Sequence, residues 1–388
     1  MTAKPQPLDA QNPITTIDQL HAHLYAAARV EMSTIPLYLY AAYSIETAGD
    51  YQWDPGMSAF RTIRSVVIEE MLHLCLACNL LVATGGGRFV NLYDPDFITT
   101  YPSPMLQREP QLILQLEPCS PQLMQEIFMP LELPEKTDAP PQPDHYNTIG
   151  QFYDAIELGL ETLSGPDLWA DPHPELQYQK TYWNQDGGGS PIVVTDLPSA
   201  LEAIRTIVEQ GEGVDPDDAT APISFTDPKV GEVEFSHFAK FSRIAQGIDV
   251  IRNVREVPTN PKVADYEGPV RALAELFNAA YSYVLCMIDS IYRTPRELVA
   301  GQPSRRYGLE RKFIAAMGGL LFPIADLLVR QHGPDGKNAA PTFEFHRFDE
   351  GTGKKEQLIA MCDALIGTYP SLGGDDGVRQ LIGKLDEV

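Results

Sequence analysis

Glu70-Met71-Leu72-His73 and Glu234-Phe235-Ser236-His237 are the two stretches whose reading settles the architecture. Apolar residues around each recur at three- and four-residue spacing, so each Glu-x-x-His unit is expected inside a helix. Residues three apart on a helix share a face, which lets a carboxylate and an imidazole reach one metal ion together. Two such units facing each other across a bundle, joined by a Glu from each of two further helices, make a two-metal carboxylate site. Glu31 fits the first of those places, because it interrupts an apolar face formed by Ala27, Ala28 and Ile35. Glu209, one turn before the Gly211 and Gly213 stop, is assigned the second, with Glu212 as an alternate and Glu157 as an outside candidate. A lone Glu-x-x-His is commonly just a solvated ion pair, but the ordered set of Glu, Glu-x-x-His, Glu, Glu-x-x-His is far more specific. Glu69 could also meet His73, but only one of two adjacent residues faces the bundle axis. The spacing favours Glu70 and leaves Glu69 behind it or exposed.

The rest of the chain is organised around these helices. A long helix is expected over 17–45, started by Thr15 with Asp18 and kinked by Pro36 just beyond Glu31. A second runs from about Met57 to Ala83 and stops at Gly85-Gly86-Gly87. Periodicity then vanishes through a proline-crowded insertion at 88–144, in which Leu112 to Leu116 could form a short strand and Gln122 to Phe128 a helical turn or two. Thr148 and Gln151 form a capping box for the next helix. A second insertion, at 164–195, contains Gly187-Gly188-Gly189, which lacks the lysine and the strand context of a phosphate loop. Further helices are expected from Asp196 to Gly211 and from Gly231 to Gly247, then over 270–292 and 307–331, with a bend at Pro323. The expected domains are a disordered tail at 1–14, a bundle with insertions over 15–256, and a C-terminal helical extension over 257–388.

Composition narrows the partners. The 388 residues carry 29 Lys and Arg against 53 Asp and Glu, a net charge of −24, which disfavours nucleic acid and anionic membrane as partners. The most apolar stretch, 313–329, is interrupted by Pro323 and Asp326 and is too short to span a bilayer. The N-terminus lacks the apolar run of a signal peptide. Five scattered cysteines, Cys75, Cys78, Cys119, Cys286 and Cys362, fit a reducing compartment, hence the cytoplasm. Cys75 and Cys78 lack the second pair that a zinc site needs and are read as small core residues. Tyr38 either packs in the core or donates to a ligand carboxylate. His21 and His23 are expected to be solvated near a helix start, and His145, His173, His332 and His346 carry no paired ligand spacing.

The ligand order is that of a ferritin-like bundle, and the sequence resembles the ferritin-like domain of the iminophenyl-pyruvate dimer synthase type. The resemblance is carried by Glu31-Met-Ser-Thr-Ile-Pro-Leu-Tyr, Glu69-Glu-Met-Leu-His-Leu, Gly85-Gly-Gly, Thr148-Ile-Gly-Gln-Phe-Tyr, Gln210-Gly-Glu-Gly, Glu234-Phe-Ser-His-Phe and Pro341-Thr-Phe-Glu-Phe, and covers about 15–345. It implies a ferritin-like four-helix bundle, which with the proline-rich insertions and the C-terminal helical pair read above makes an all-α fold. It also implies a non-haem di-iron site at Glu31, Glu70, His73, Glu209, Glu234 and His237. The activity implied is oxidative coupling of imines of aromatic 2-oxo acids, fed by a flavin amino-acid oxidase. Relatives of this type can be much longer than this chain. The donor types suit iron or manganese and would also take zinc. The leading function is therefore a di-iron oxidoreductase using dioxygen on a small organic substrate. The alternatives are a ferroxidase and a structural metal-binding protein. Arg108, Tyr101, Tyr182 and Trp183 from the insertions are candidates for gripping an aromatic carboxylate, and the acidic bundle is of a kind that often forms homodimers.

Overall fold

Thr16 opens the first helix. Its hydroxyl accepts from the Gln19 N–H and the Gln19 side chain accepts from the Thr16 N–H, a reciprocal box one residue beyond the expected Thr15 start. The computed structural model describes residues 4–10, 12–46, 58–105, 111–133, 146, 148–179, 188–211, 235–296, 304–375 and 377–388. Helix α1, Ile17–Ser44, runs through Pro36 as a single helix. Helix α2, Ser58–Ala83, packs along it. Alanines at 27, 28, 41, 42, 77 and 83 are buried in this region, and small side chains let helix backbones approach closely.

Ala59–Ala83 in α2 is apolar enough, by length and composition alone, to cross a membrane. In the fold, 94% of its most apolar window is buried inside the protein, so neighbouring helices take up that surface. Cys75 and Cys78 lie there as free, buried thiols, and burial pushes the Cys75 thiol up to about 12, which keeps it protonated.

The insertion after α2 is ordered where it is described. Ser103–Pro104 pairs antiparallel with Ile113–Leu114 as a minimal ribbon. Helix α3 follows over 121–131, capped by the Ser120 hydroxyl and widened to a π-helix at Met124–Phe128. Helices α4, Ile149–Leu163, and α5, Leu197–Gly211, pack on each other, α4 also touching α1 and α5 also touching α2. Thr148 caps α4 through the Gln151 N–H, as its sequence predicts. Helix α6, His237–Ala245, sits against α2 and α3. It begins later than expected, because Ser236 is extended and its hydroxyl accepts from the Ala239 N–H, which makes it the cap and His237 the first helical residue.

Helices α7, Gly268–Arg293, and α8, over 305–328, form the expected C-terminal pair. Pro323 lies within α8. The segment Met317–Leu321 just before it is π-helical, and the wider register accommodates the N–H that proline lacks. Two further helices, α9 at Lys354–Ile366 and α10 at Val378–Lys384, pack beside the pair and were not anticipated. The Tyr292 hydroxyl on α7 donates to Cys75 O, and the Asp289 carboxylate accepts from the N–H groups of Leu92 and Tyr93, tying α7 to the α2 region. Arg306 is wholly buried on α8. It pairs with Glu310 and donates to the carbonyls of Glu175, Gln177 and Thr294.

Candidate metal centre

Four helices bring polar side chains into the core at one level. Glu31 comes from α1, Glu70 and His73 from α2, Glu132 from the end of α3, and His237 from the start of α6; all five are buried. Glu70, His73 and His237 each offer a ligand atom within 4.8 Å of the others. Nδ1 of His237 lies 2.8 Å from Glu70 Oε1 and 3.6 Å from Glu132 Oε1, and Nδ1 of His73 lies 3.5 Å from Glu31 Oε2. The two imidazoles stack with ring centroids 5.3 Å apart.

Neutral donors support the carboxylates. Thr34 Oγ1 donates to Glu70 Oε2 at 2.6 Å, Tyr153 OH to Glu31 and Tyr38 OH to Glu132. Burial, reinforced by the adjoining carboxylates, holds both phenols well above their ordinary range, so they remain protonated donors. Tyr38 thus fills both roles considered for it, since its ring also packs on Phe128 and Phe241 and closes an aromatic joint between α1, α3 and α6.

Behind the imidazoles, His73 Nε2 faces Gln210 Oε1 at 3.1 Å, and His237 Nε2 faces Glu69 Oε2 at 2.9 Å. Glu69 is buried, not exposed. Both its oxygens meet Lys240 Nζ, and Oε1 accepts from the Gly188 N–H.

This donor set fits a cation. Glu31, Glu69, Glu70 and Glu132 are four buried carboxylates, and Lys240 is the permanent charge seen against them among the described residues. Carboxylates are rarely buried without compensation. Burial pushes Glu70 up to about 7, with Glu132 and Glu31 adding to it and His237 opposing it. Burial pulls both histidines down, but their carboxylate neighbours win and raise them, His237 strongly. His237 Nδ1 is fully buried and, among the described residues, has no partner in hydrogen-bonding geometry although it faces two carboxylates. Those carboxylates favour a proton on Nδ1, and a metal ion held there would take the place of that proton.

Of the residues expected from sequence, Glu31, Glu70, His73 and His237 are brought together. Glu209 is not: it lies on the exposed face of α5, and its neighbour Gln210 is the one turned inward to His73. Glu157 is only partly buried, among Asp154, Glu161 and Arg205. Glu212 and Glu234 lie outside the described residues, as do Arg108, Tyr182 and Trp183. Tyr101 is buried, with its hydroxyl donating to Ser33 O. His21 and His23 are buried rather than solvated; Nε2 of His21 meets Thr84 O, and His23 lies between Gln19 O and the Tyr146 hydroxyl. Glu132 carried one signal in the sequence, an acidic group between Leu131 and Leu133, but its aperiodic, proline-rich surroundings gave no helix on which to place it.

A family model described as Ferritin-like matches residues 24–246, a span that includes every residue of this centre. The chain belongs to that family, and fold and donor set together point to a metal cofactor. Dichlorochromopyrrolate synthase of Lentzea aerocolonigenes is 27% identical over 86% of this chain and 36% of its own length. The 2-imino-3-(indol-3-yl)propanoate dimerase of Chromobacterium violaceum is 26% identical over 90% of this chain and 36% of its own. The chain therefore spans about a third of the length of these curated relatives, whose names describe synthases and dimerases. The crystal structure of a ferritin-like protein from Caulobacter vibrioides covers 86% of this chain and 100% of its own, with a TM-score of 0.56 at 23% identity, a likeness of fold.

Proposed function

We propose that this chain is a non-haem di-iron oxidase that uses dioxygen to couple small organic molecules, imines of aromatic 2-oxo acids being the substrate class. The observation that carries the reading is the buried group of Glu70, His73 and His237, with Glu31 and Glu132 beside it, in a chain similar to one enzyme named a synthase and another named a dimerase. Glu31, Glu70, His73, His237 and Glu132 are the proposed ligands on the described residues, and Glu234 remains a candidate on sequence spacing. When bound, iron would supply redox chemistry with dioxygen. Joining two imines through a new bond releases two electrons and two protons, which dioxygen accepts as the oxidant.

The protein's own part is to hold that chemistry away from water. Tyr38, Tyr153 and Thr34 fix the carboxylates by donating to them, and Gln210 and Glu69 hold the imidazoles with Nδ1 turned inward. Imines of 2-oxo acids hydrolyse readily, which makes an amino-acid oxidase the natural upstream supplier. Five buried free cysteines support a reducing, cytoplasmic setting.

The test is metal analysis of the isolated protein, then anaerobic loading with ferrous iron and exposure to oxygen, with and without an aromatic amino acid and an amino-acid oxidase. Two irons per chain and a dimeric product formed only in the full mixture are expected. Oxygen uptake driven by ferrous ion alone, with no organic product, would favour the ferroxidase reading, and absence of bound metal would overturn both.

A further inference from the structure

The two inward-facing histidines are backed unequally. His73 donates Nε2–H to the neutral amide oxygen of Gln210 at 3.1 Å, whereas His237 donates to the Glu69 carboxylate at 2.9 Å. That carboxylate is fixed by Lys240 Nζ at 2.6 and 2.7 Å and by the Gly188 N–H at 3.0 Å. A carboxylate behind an imidazole makes the opposite nitrogen a stronger donor than a neutral amide does. The number of facing carboxylates runs the same way, with Glu70 and Glu132 near His237 Nδ1 and Glu31 near His73 Nδ1.

We infer that the centre is built with one strong and one weak half, the strong half at His237 and the weak half at His73, and that Glu69 and Gln210 are the positioning residues that set the difference. This rests on the metal-centre reading above.

One turn of the second insertion touches both positioning residues. Gly188 donates to Glu69, and Gly189, with φ of +74°, lies so close that a Cβ would sit 2.9 Å from Leu72 Cδ2 and 3.0 Å from Gln210 Nε2. Glycine is favoured there by the backbone conformation. Gly188 and Gly189 thus lie against the two side chains that back the histidines.

The experiment is an anaerobic titration of the metal-free full chain with cobalt(II), followed through its visible ligand-field bands and by competition with a chelator. Two binding steps separated by at least about tenfold are expected, and Glu69→Gln should weaken the stronger step by about 10- to 100-fold. The substitution removes the carboxylate that Lys240 holds, so Glu69→Gln with Lys240→Met serves as a second variant in case the first does not fold. Gln210→Glu should instead tighten the weaker step by about tenfold. Two equal steps in the unaltered protein would overturn the inference. So would a folded Glu69→Gln or double variant that keeps its stronger step, or one that loses only the weaker. Failure of the metal-centre reading looks different: the unaltered protein would bind no cobalt at all.

Discussion

Glu132 reaches the centre from the last turn of an insertion helix, and its hydrogen bond from Tyr38 places it where Glu209 was expected. Glu132→Ala should therefore lower metal affinity by at least tenfold, while Glu209→Ala, on an exposed face, leaves it unchanged; equilibrium dialysis against iron or cobalt reads both. The opposite ranking would return the ligand role to α5. Replacing both His73 and His237 with Ala should abolish stoichiometric binding and keep a helical circular-dichroism spectrum. Retention of two metals per chain would sink the proposed ligand set. Tyr153→Phe removes one donor from Glu31 and should weaken binding about tenfold or less, as loss of an outer partner does.

At the scale of elements, the caps and the buried pair govern how rigidly the centre is held. Ser236 caps α6 directly before His237, so Ser236→Ala should cost about 1 kcal/mol in denaturant unfolding and loosen the strong half of the centre. Glu310 lies between Arg306 and Arg296 in a region with almost no solvent access. Removing it leaves buried guanidinium charge, and Glu310→Ala should cost about 3–5 kcal/mol by the same measurement. A loss below 1 kcal/mol would mean that the carbonyls around Arg306 suffice. The helices themselves were largely legible in the chain. Thr148 with Gln151, the Gly85 stop and the Pro198 start all act as their residue types predict, because capping depends on neighbours in sequence. The late start of α6 was not legible, since a serine competes for the N–H groups ahead of it whether or not a Glu-x-x-His pattern runs through it.

Across the whole molecule, a centre that binds metal in the folded state and not in the unfolded chain must couple metal to stability. Free metal at about 100 times its dissociation constant adds about 2.7 kcal/mol. Chelation should lower the unfolding midpoint accordingly, and re-addition of iron should restore it; an unchanged midpoint would mean that the site is not filled. Local pattern was enough for the all-α class, for two long helices bearing Glu31, Glu70 and His73, and for an interest in His237, because helical periodicity and three-residue spacing are properties of a chain with its immediate neighbours. The fourth carboxylate, the Lys240 and Gln210 partners, and the burial of Glu69 lay beyond that reach. Gln210 is 137 residues from His73, and Lys240 is 171 from Glu69, so only the packing of α3, α5 and α6 onto α2 brings them within hydrogen-bonding distance. Which of two adjacent acids, Glu69 or Glu70, faces Nδ1 of His237 and which backs its Nε2 depended on the rotation of α2 between its neighbours, a quantity set by side-chain packing across the bundle.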